Sequence, residues 1–247
     1  MPRTTLEICI DSVAGADAAI AGGADRIELC GALSVGGLTP SAGLAGEVLH
    51  LAQAAGVRVH AMVRPRAGDF AYDADEVDTA ISEGKTLILA GADGLVFGAA
   101  RDGSLDHDVL ARWVRAMRAA RADIDLTLHR AVDLLVDPVA AVEPAVALGF
   151  DRILTSGGAT RAVDGAEVIA AMQAQAAGRI MVMPGAGIRP DNVAALRART
   201  GASEVHASAS VPIVQDDRRV IALGFAGPGL ARTDRAVVRA LRDAVDA

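Results

Sequence analysis

Carboxylates, thiols, imidazoles and guanidinium groups recur in this chain at the ends of short apolar runs. Glu7, Cys9 and Asp11 alternate through LEICID, Glu28 and Cys30 through RIELC, and Arg64 and Arg66 follow VRVHAMV. His129 and Arg130 follow DLTL, Ser156-Gly157-Gly158 follows RILT, Gly185-Ala186-Gly187 follows IMVMP, and His206 and Ser208 end EVHAS. Such groups can move protons, bind a soft metal or grip an anion. His129 is the general acid–base candidate, with Glu7 and Glu28 as its carboxylate partners. His206 resembles it in position. His60 lies deeper in its run and reads as structural, while His50 and His107 read as surface helix residues.

The elements that must position these groups are eight strand-like runs with helical segments between them. They are Leu6–Ile10, Arg26–Leu29, Val57–Val63, Gly94–Phe97, Asp125–Leu128, Arg152–Thr155, Ile180–Met183 and Glu204–Ala207. This alternation predicts an α/β fold, a TIM (β/α)₈ barrel of parallel strands, whose site lies at the C-terminal ends of the strands. The 247 residues suit one such domain spanning 1–247. Asp137-Pro138, Pro190-Asp191-Asn192 and Thr233-Asp234 read as helix starts. GGADRIEL, AGADGLVF and LGFDRILT share one plan of helix end, glycine, acid and strand. Residues 208–232 break the rhythm and read as a long loop on the functional face.

Composition narrows the function. The chain is 52% hydrophobic with 2% aromatic residues, so Ala, Val, Leu and Ile must build the core. A net charge of −7, no basic stripe and few stacking aromatics exclude nucleic acid as a partner. No apolar run approaches the roughly 18 residues of a membrane span. Glu7 and Asp11 arrive too early for a signal peptide, so a cytoplasmic location with two reduced thiols is expected. The expected partner is a small anion or other small-molecule ligand. A homo-oligomer is compatible with the chain, and no motif for an organic cofactor stands out.

Alternate residues of a barrel strand point inward. Glu7, Cys9 and Asp11 share one face, Glu28 and Cys30 another, and the apolar residues between them face the helices. Burying two carboxylates requires partners, for which Arg64, Arg66, His129 and Arg130 are available. One outcome is a salt-bridge layer that only fixes the barrel. The other is a pocket with perturbed groups at the barrel mouth.

The loops after strands six, seven and eight also suit an anion. Ser156, Gly157, Gly158, Gly185, Gly187 and Ser208 could present backbone N–H groups and a hydroxyl to phosphate or carboxylate. Arg64 and Arg66 would add charge across the rim, with Asp69 orienting one of them. All are expected to converge on one pocket. This supports an acid–base enzyme, of isomerase or lyase type, acting on a small phosphorylated or carboxylated metabolite. The bland alternative is that the glycines only turn the loops.

LEICIDS, GGADRIELCGALSVGGLTPS, VRPRAGDFAY, GADGLVFGAARDG, LTLHRAVD, DRILTSGG, IMVMPGAGI and EVHASA together resemble the CutC family of copper homeostasis proteins. The likeness runs in order from Leu6 to about Ser208 and weakens beyond. Ala67 stands where the family has glycine in RPRGGDF, and Ala186 where a triple glycine is common. The resemblance implies a TIM barrel, a role in copper homeostasis, and Cu(I) as the metal, held by Cys9 and Cys30. Soft thiolates suit Cu(I), and adjacent strands lie about 4.8 Å apart. Against this, the chain has no CxxC or CxC pair, and buried cysteine often serves as a small hydrophobe.

Overall fold

The computed structural model describes residues 3–225 and 230–247. Eight parallel strands form the barrel: β1 (Thr5–Ile10), β2 (Arg26–Leu29), β3 (Arg58–Met62), β4 (Gly94–Phe97), β5 (Asp125–Leu128), β6 (Arg152–Thr155), β7 (Met181–Pro184) and β8 (Glu204–Ala207). Their order in the sheet is β8-β1-β2-β3-β4-β5-β6-β7. β7 and β8 lie beside one another without a ladder, so this seam closes the barrel by packing. The helices between the strands are α1 (Val13–Gly22), α2 (Ala42–Ala55), α3 (Ala74–Ala90), α4 (His107–Ala120), α5 (Val142–Leu148), α6 (Ala166–Ala176) and α7 (Val193–Thr200), and α8 (Arg235–Asp246) ends the chain.

The repeated glycine–acid joint has a definite job. Asp25, Asp93 and Asp151 precede β2, β4 and β6, and each carboxylate accepts the backbone N–H of the strand before: Leu6, Val59 and Leu126, each at 2.8 Å. One acid thus satisfies a strand-end donor and sets the stagger of a strand pair. The helix starts follow the expected residues with one refinement. Asp137 accepts the N–H of Val139, but the first turn there is 3₁₀ (Val139–Ala141) before α5 begins.

The apolar core lies between the strands and the helices. Leu6, Ile8, Ile10, Ile27, Leu29, Val59, Leu95 and Ile153 face outward onto helix residues such as Ala16, Val48, Leu110 and Ile169. Each fully buried Leu or Ile contributes about 1.5–3 kcal/mol. Phe97 stacks on Trp113 with centroids 4.6 Å apart. The terminal helix α8 packs on α1 so closely that a Cβ at Gly22 would lie 2.4 Å from Val238. Arg242 anchors α8 through Asp25 at 2.6 Å and the Thr4 carbonyl at 3.1 Å.

After β8, Ser210–Pro212 pairs antiparallel with Ala231–Thr233, and a short helix spans Arg218–Ala222. The expected long segment 208–232 therefore carries regular structure where it is described. Its residues 226–229 lie outside the described residues.

Candidate functional site at the C-terminal mouth of the barrel

The barrel interior is polar from its floor upward. Arg26 at the start of β2 pairs with Glu7 of β1 and, at 2.6 Å, with Glu204 of β8. Glu204 also receives Arg152 of β6 at 2.5 and 3.2 Å. Charges buried in this way are tolerated because each has an opposite partner within hydrogen-bond reach. The partners of the buried carboxylates are thus Arg26, Arg152 and His206, in place of the expected Arg64, Arg66, His129 and Arg130. Strand parity could have found them: Arg26 shares a face with Glu28, and Glu204 with His206.

Above this lattice, Cys9, Glu28 and His206 come together. One ligand atom from each lies within 4.8 Å of the others, and all three residues are buried. His206 Nδ1 is 2.8 Å from Glu7 Oε1, and its Nε2 is 3.8 Å from Glu28 Oε2. Burial by itself would raise the Glu7 carboxyl, but the Arg26 guanidinium and His206 hold it well below the usual range. Burial opposes charge on His206 too, yet Glu28, Cys9 and Glu7 hold the imidazole well above its ordinary value. Burial pushes the Glu28 carboxyl up, and its Oε1 has no hydrogen-bond partner among the described residues.

Cys30 does not join this group. The β1–β2 register sets Cys9 level with Glu28, so Cys30 stands two residues higher. Its thiol lies 3.5 Å from Glu28 Oε2 and is otherwise packed with Met62, Val96 and Leu33. Burial and the neighbouring Glu28 push that thiol well above its ordinary pKa. The structure therefore gathers Cys9 with an imidazole and a carboxylate, and sets Cys30 beside Glu28 outside that group.

His129 ends β5, four strands around the barrel from β1. Its Nδ1 accepts the Ala131 N–H at 3.1 Å, which leaves the proton on Nε2. That Nε2 is buried without a partner among the described residues. Phe70 packs on the ring at 4.7 Å, and a Cβ at Gly98 would lie 2.4 Å from Nδ1, so only glycine leaves room for it. Burial, followed by the charge of Arg64, lowers its pKa to about 3. His129 is thus a fixed neutral donor. The histidine that meets Glu7 and Glu28 is His206.

The anion loops differ most from expectation. The nest after β6 is filled by the protein itself. Asp133 Oδ1 accepts the Thr155 hydroxyl at 2.6 Å, the Ser156 N–H at 3.0 Å and the Gly158 N–H at 3.1 Å. The Gly157 N–H goes to the Thr155 hydroxyl, and the Gly185 N–H to the Thr155 carbonyl. Arg130 is committed to Asp133 and Ser156. Arg64 is a staple, donating to the carbonyls of Val35, Gly37 and Gly68. Arg66 turns away to Glu76 and Asp69, the latter holding it at 2.9 Å as expected. The residues do not converge as one anion grip: internal acceptors take donors of Arg64, Arg66, Arg130, Gly157, Gly158 and Gly185, while Gly187 and Ser208 stay at the open mouth.

What remains open is a cavity of about 840 Å³ at the mouth. Cys9, Glu28 and His206 form part of its lining, with His129 on the opposite wall and Arg64, Arg130, Gly187 and Ser208 higher up. Arg66, Asp69, Ser156, Gly157, Gly158 and Gly185 are not among its lining residues.

A model of the CutC family matches residues 4–211. The chain belongs to the CutC family. CutC-family proteins of Agrobacterium fabrum (strain C58 / ATCC 33970) and Sinorhizobium medicae (strain WSM419) are 48% and 46% identical to it, over 98% and 100% of this chain and 94% and 98% of theirs. The crystal structure of a CutC from Streptococcus agalactiae, whose name refers to copper homeostasis, superposes with a TM-score of 0.78 at 27% identity, over 83% of this chain and 98% of that one. A deoxyribose phosphate aldolase from Aeropyrum pernix shares the fold, with a TM-score of 0.63 at 16% identity over 82% of this chain and 85% of that one.

In this CutC-family chain, the residues that sequence reasoning missed are Arg26, Arg152, Glu204 and Asp133. The first three open their strands, where a polar residue reads as a boundary. Asp133 follows LTLHRAV in a 3₁₀ turn, Arg130–Leu134, and its spacing from Ser156 carries no local signal. No helix among the described residues is long and apolar enough to cross a membrane.

Proposed function

We propose that this chain serves copper homeostasis by holding a metal ion, Cu(I) by the family's name, at Cys9, Glu28 and His206. The observation that carries this reading is the orientation of His206. Its Nδ1 faces Glu7 at 2.8 Å, which leaves Nε2 directed toward Cys9 and Glu28. A ligating histidine held through its other nitrogen by a carboxylate is the usual arrangement of a metal centre. The unpartnered Glu28 Oε1 fits the same reading, since a cation would satisfy it. Cys9 and His206 supply the soft and borderline donors that Cu(I) takes, and Glu28 closes the third side. Cys30 backs Glu28 and is not needed as a ligand. A cytoplasmic setting, which keeps thiols reduced, would leave Cys9 available to the metal.

Anaerobic titration against a chromophoric Cu(I) competitor tests this. Cys9→Ser and His206→Ala each lower affinity at least about tenfold, whereas Cys30→Ser changes it by less than about threefold. Unchanged affinity in Cys9→Ser removes the proposed centre.

The second reading, an acid–base enzyme, is favoured by one feature: Glu28, with its raised carboxyl, and His206 lie together under an open cavity. Glu28 would then donate or accept the proton, and His206 would stabilise the charge.

A further inference from the structure

The cavity at the barrel mouth contains a buried donor that the metal reading does not use. His129 is 3% exposed and lines the cavity, and its Nε2 has no hydrogen-bond partner among the described residues. The ring cannot rotate to find one. The Ala131 N–H holds Nδ1, Phe70 packs against the face, and the Gly98 backbone lies behind it. An unsatisfied buried donor costs about 1–3 kcal/mol, and the fold retains it on a residue that lines the cavity wall. We propose that this cavity binds an uncharged, oxygen-rich organic molecule, of sugar or hydroxy-carbonyl type, one oxygen of which accepts the hydrogen bond of His129 Nε2–H.

Three observations select an uncharged ligand. The lining arginines Arg64 and Arg130 are bound to backbone carbonyls and to Asp133, and Arg189 is exposed at the rim. The N–H nest after β6, which would suit a phosphate, is closed by Asp133. On the wall opposite His129 stands Glu28, whose free Oε1 accepts a hydroxyl and repels an anion. The rest of the wall explains the carbon part. Met62, Phe70, Leu154 and Ile188 offer apolar surface for the C–H faces of such a molecule. An apolar wall with a few convergent polar groups is the ordinary form of a small-molecule site.

The donor, His129, follows β5 and lies apart from the metal centre; Glu28, which the ligand would share with that centre, is left to the ligand in the metal-free protein used for the test. The test uses ¹⁵N-histidine-labelled protein at pH 7 without metal, with the five histidines assigned through variants. The probes are D-glucose, D-fructose, D-ribose and myo-inositol, each to 50 mM, beside ribose 5-phosphate and inorganic phosphate. The expected result is a protonated Nε2 on His129 whose resonance moves with at least one neutral probe, and no more strongly with the phosphates. His129→Asn keeps an acceptor for the Ala131 N–H but lacks the reach of Nε2. It weakens the binding probe roughly five- to tenfold, the worth of one neutral hydrogen bond. An Nε2 without a proton, no response to any neutral probe, or a response confined to the phosphates overturns the proposal.

Discussion

His206 Nδ1 lies 2.8 Å from Glu7 Oε1, and Glu7 in turn pairs with Arg26. This relay turns the free nitrogen of His206 toward Cys9 and ties the mouth of the barrel to the ion pairs on its floor. Removing the Glu7 charge should therefore act twice. In Glu7→Gln the Arg26 guanidinium keeps only Glu204 as a charged partner, and His206 loses its charged anchor. Breaking a buried pair from one side costs about 3–5 kcal/mol. Urea unfolding should show a loss of that order. Cu(I) affinity, measured on the folded fraction, should fall about tenfold or more. Full stability in Glu7→Gln would mean that the pair is not coupled to the fold.

Asp133 occupies the place a phosphate would take, accepting the N–H groups of Ser156 and Gly158 and the Thr155 hydroxyl. Asp133→Ala should open that nest. The variant loses several hydrogen bonds to a charged acceptor, about 1.5–3 kcal/mol for each, partly recovered through water. Inorganic phosphate at tens of millimolar should then raise its melting temperature and leave that of the wild type unchanged. If both respond alike, the nest is not the anion site.

Ala186 adopts φ 78° in the loop after β7. A left-handed residue with a Cβ costs about 1–2 kcal/mol, of which the extra freedom of an unfolded glycine returns part. Ala186→Gly is therefore expected to stabilise the protein by about 1 kcal/mol. A denaturant midpoint that stays level or falls would show that the Ala186 side chain contributes packing that offsets the strain.

The barrel was readable because each strand is an apolar run whose alternate residues carry the chemistry. Glu7, Cys9 and Glu28 point inward as their parity requires. Their partners were harder to read. Glu7 and His206 stand level only because β1 pairs with β8, a contact across 199 positions set by barrel closure. The β1–β2 register sets Cys9 against Glu28, two residues below the Cys30 thiol that the spacing suggested. Arg64 and Arg66 have the composition of an anion grip, but local carbonyls and acids, which a motif does not display, had already claimed them.

Buried neutral histidines predict how stability responds to acid. His129 is lowered to about 3 by burial and Arg64, and His60 is also lowered, chiefly by burial. Unfolded histidine titrates near 6.5. Between those values the unfolded chain binds protons that the folded chain refuses, so stability is complete above about pH 6.5 and falls as pH drops toward the folded values. Each fully titrating histidine contributes a slope of about 1.4 kcal/mol per pH unit. His206 runs in the opposite sense, its raised value costing stability only as pH climbs beyond 6.5. The interval from pH 6 to 4.5 separates His60 and His129 from His206, although the raised Glu28 carboxyl gains its proton in the folded state toward the lower end and opposes the fall. Urea midpoints across it should fall steadily in the wild type. In His129→Asn the slope should be clearly smaller than in the wild type, even though the variant starts from lower stability at pH 7. An unchanged slope would place a charged His129 in the folded protein and remove the basis for its role as a neutral donor.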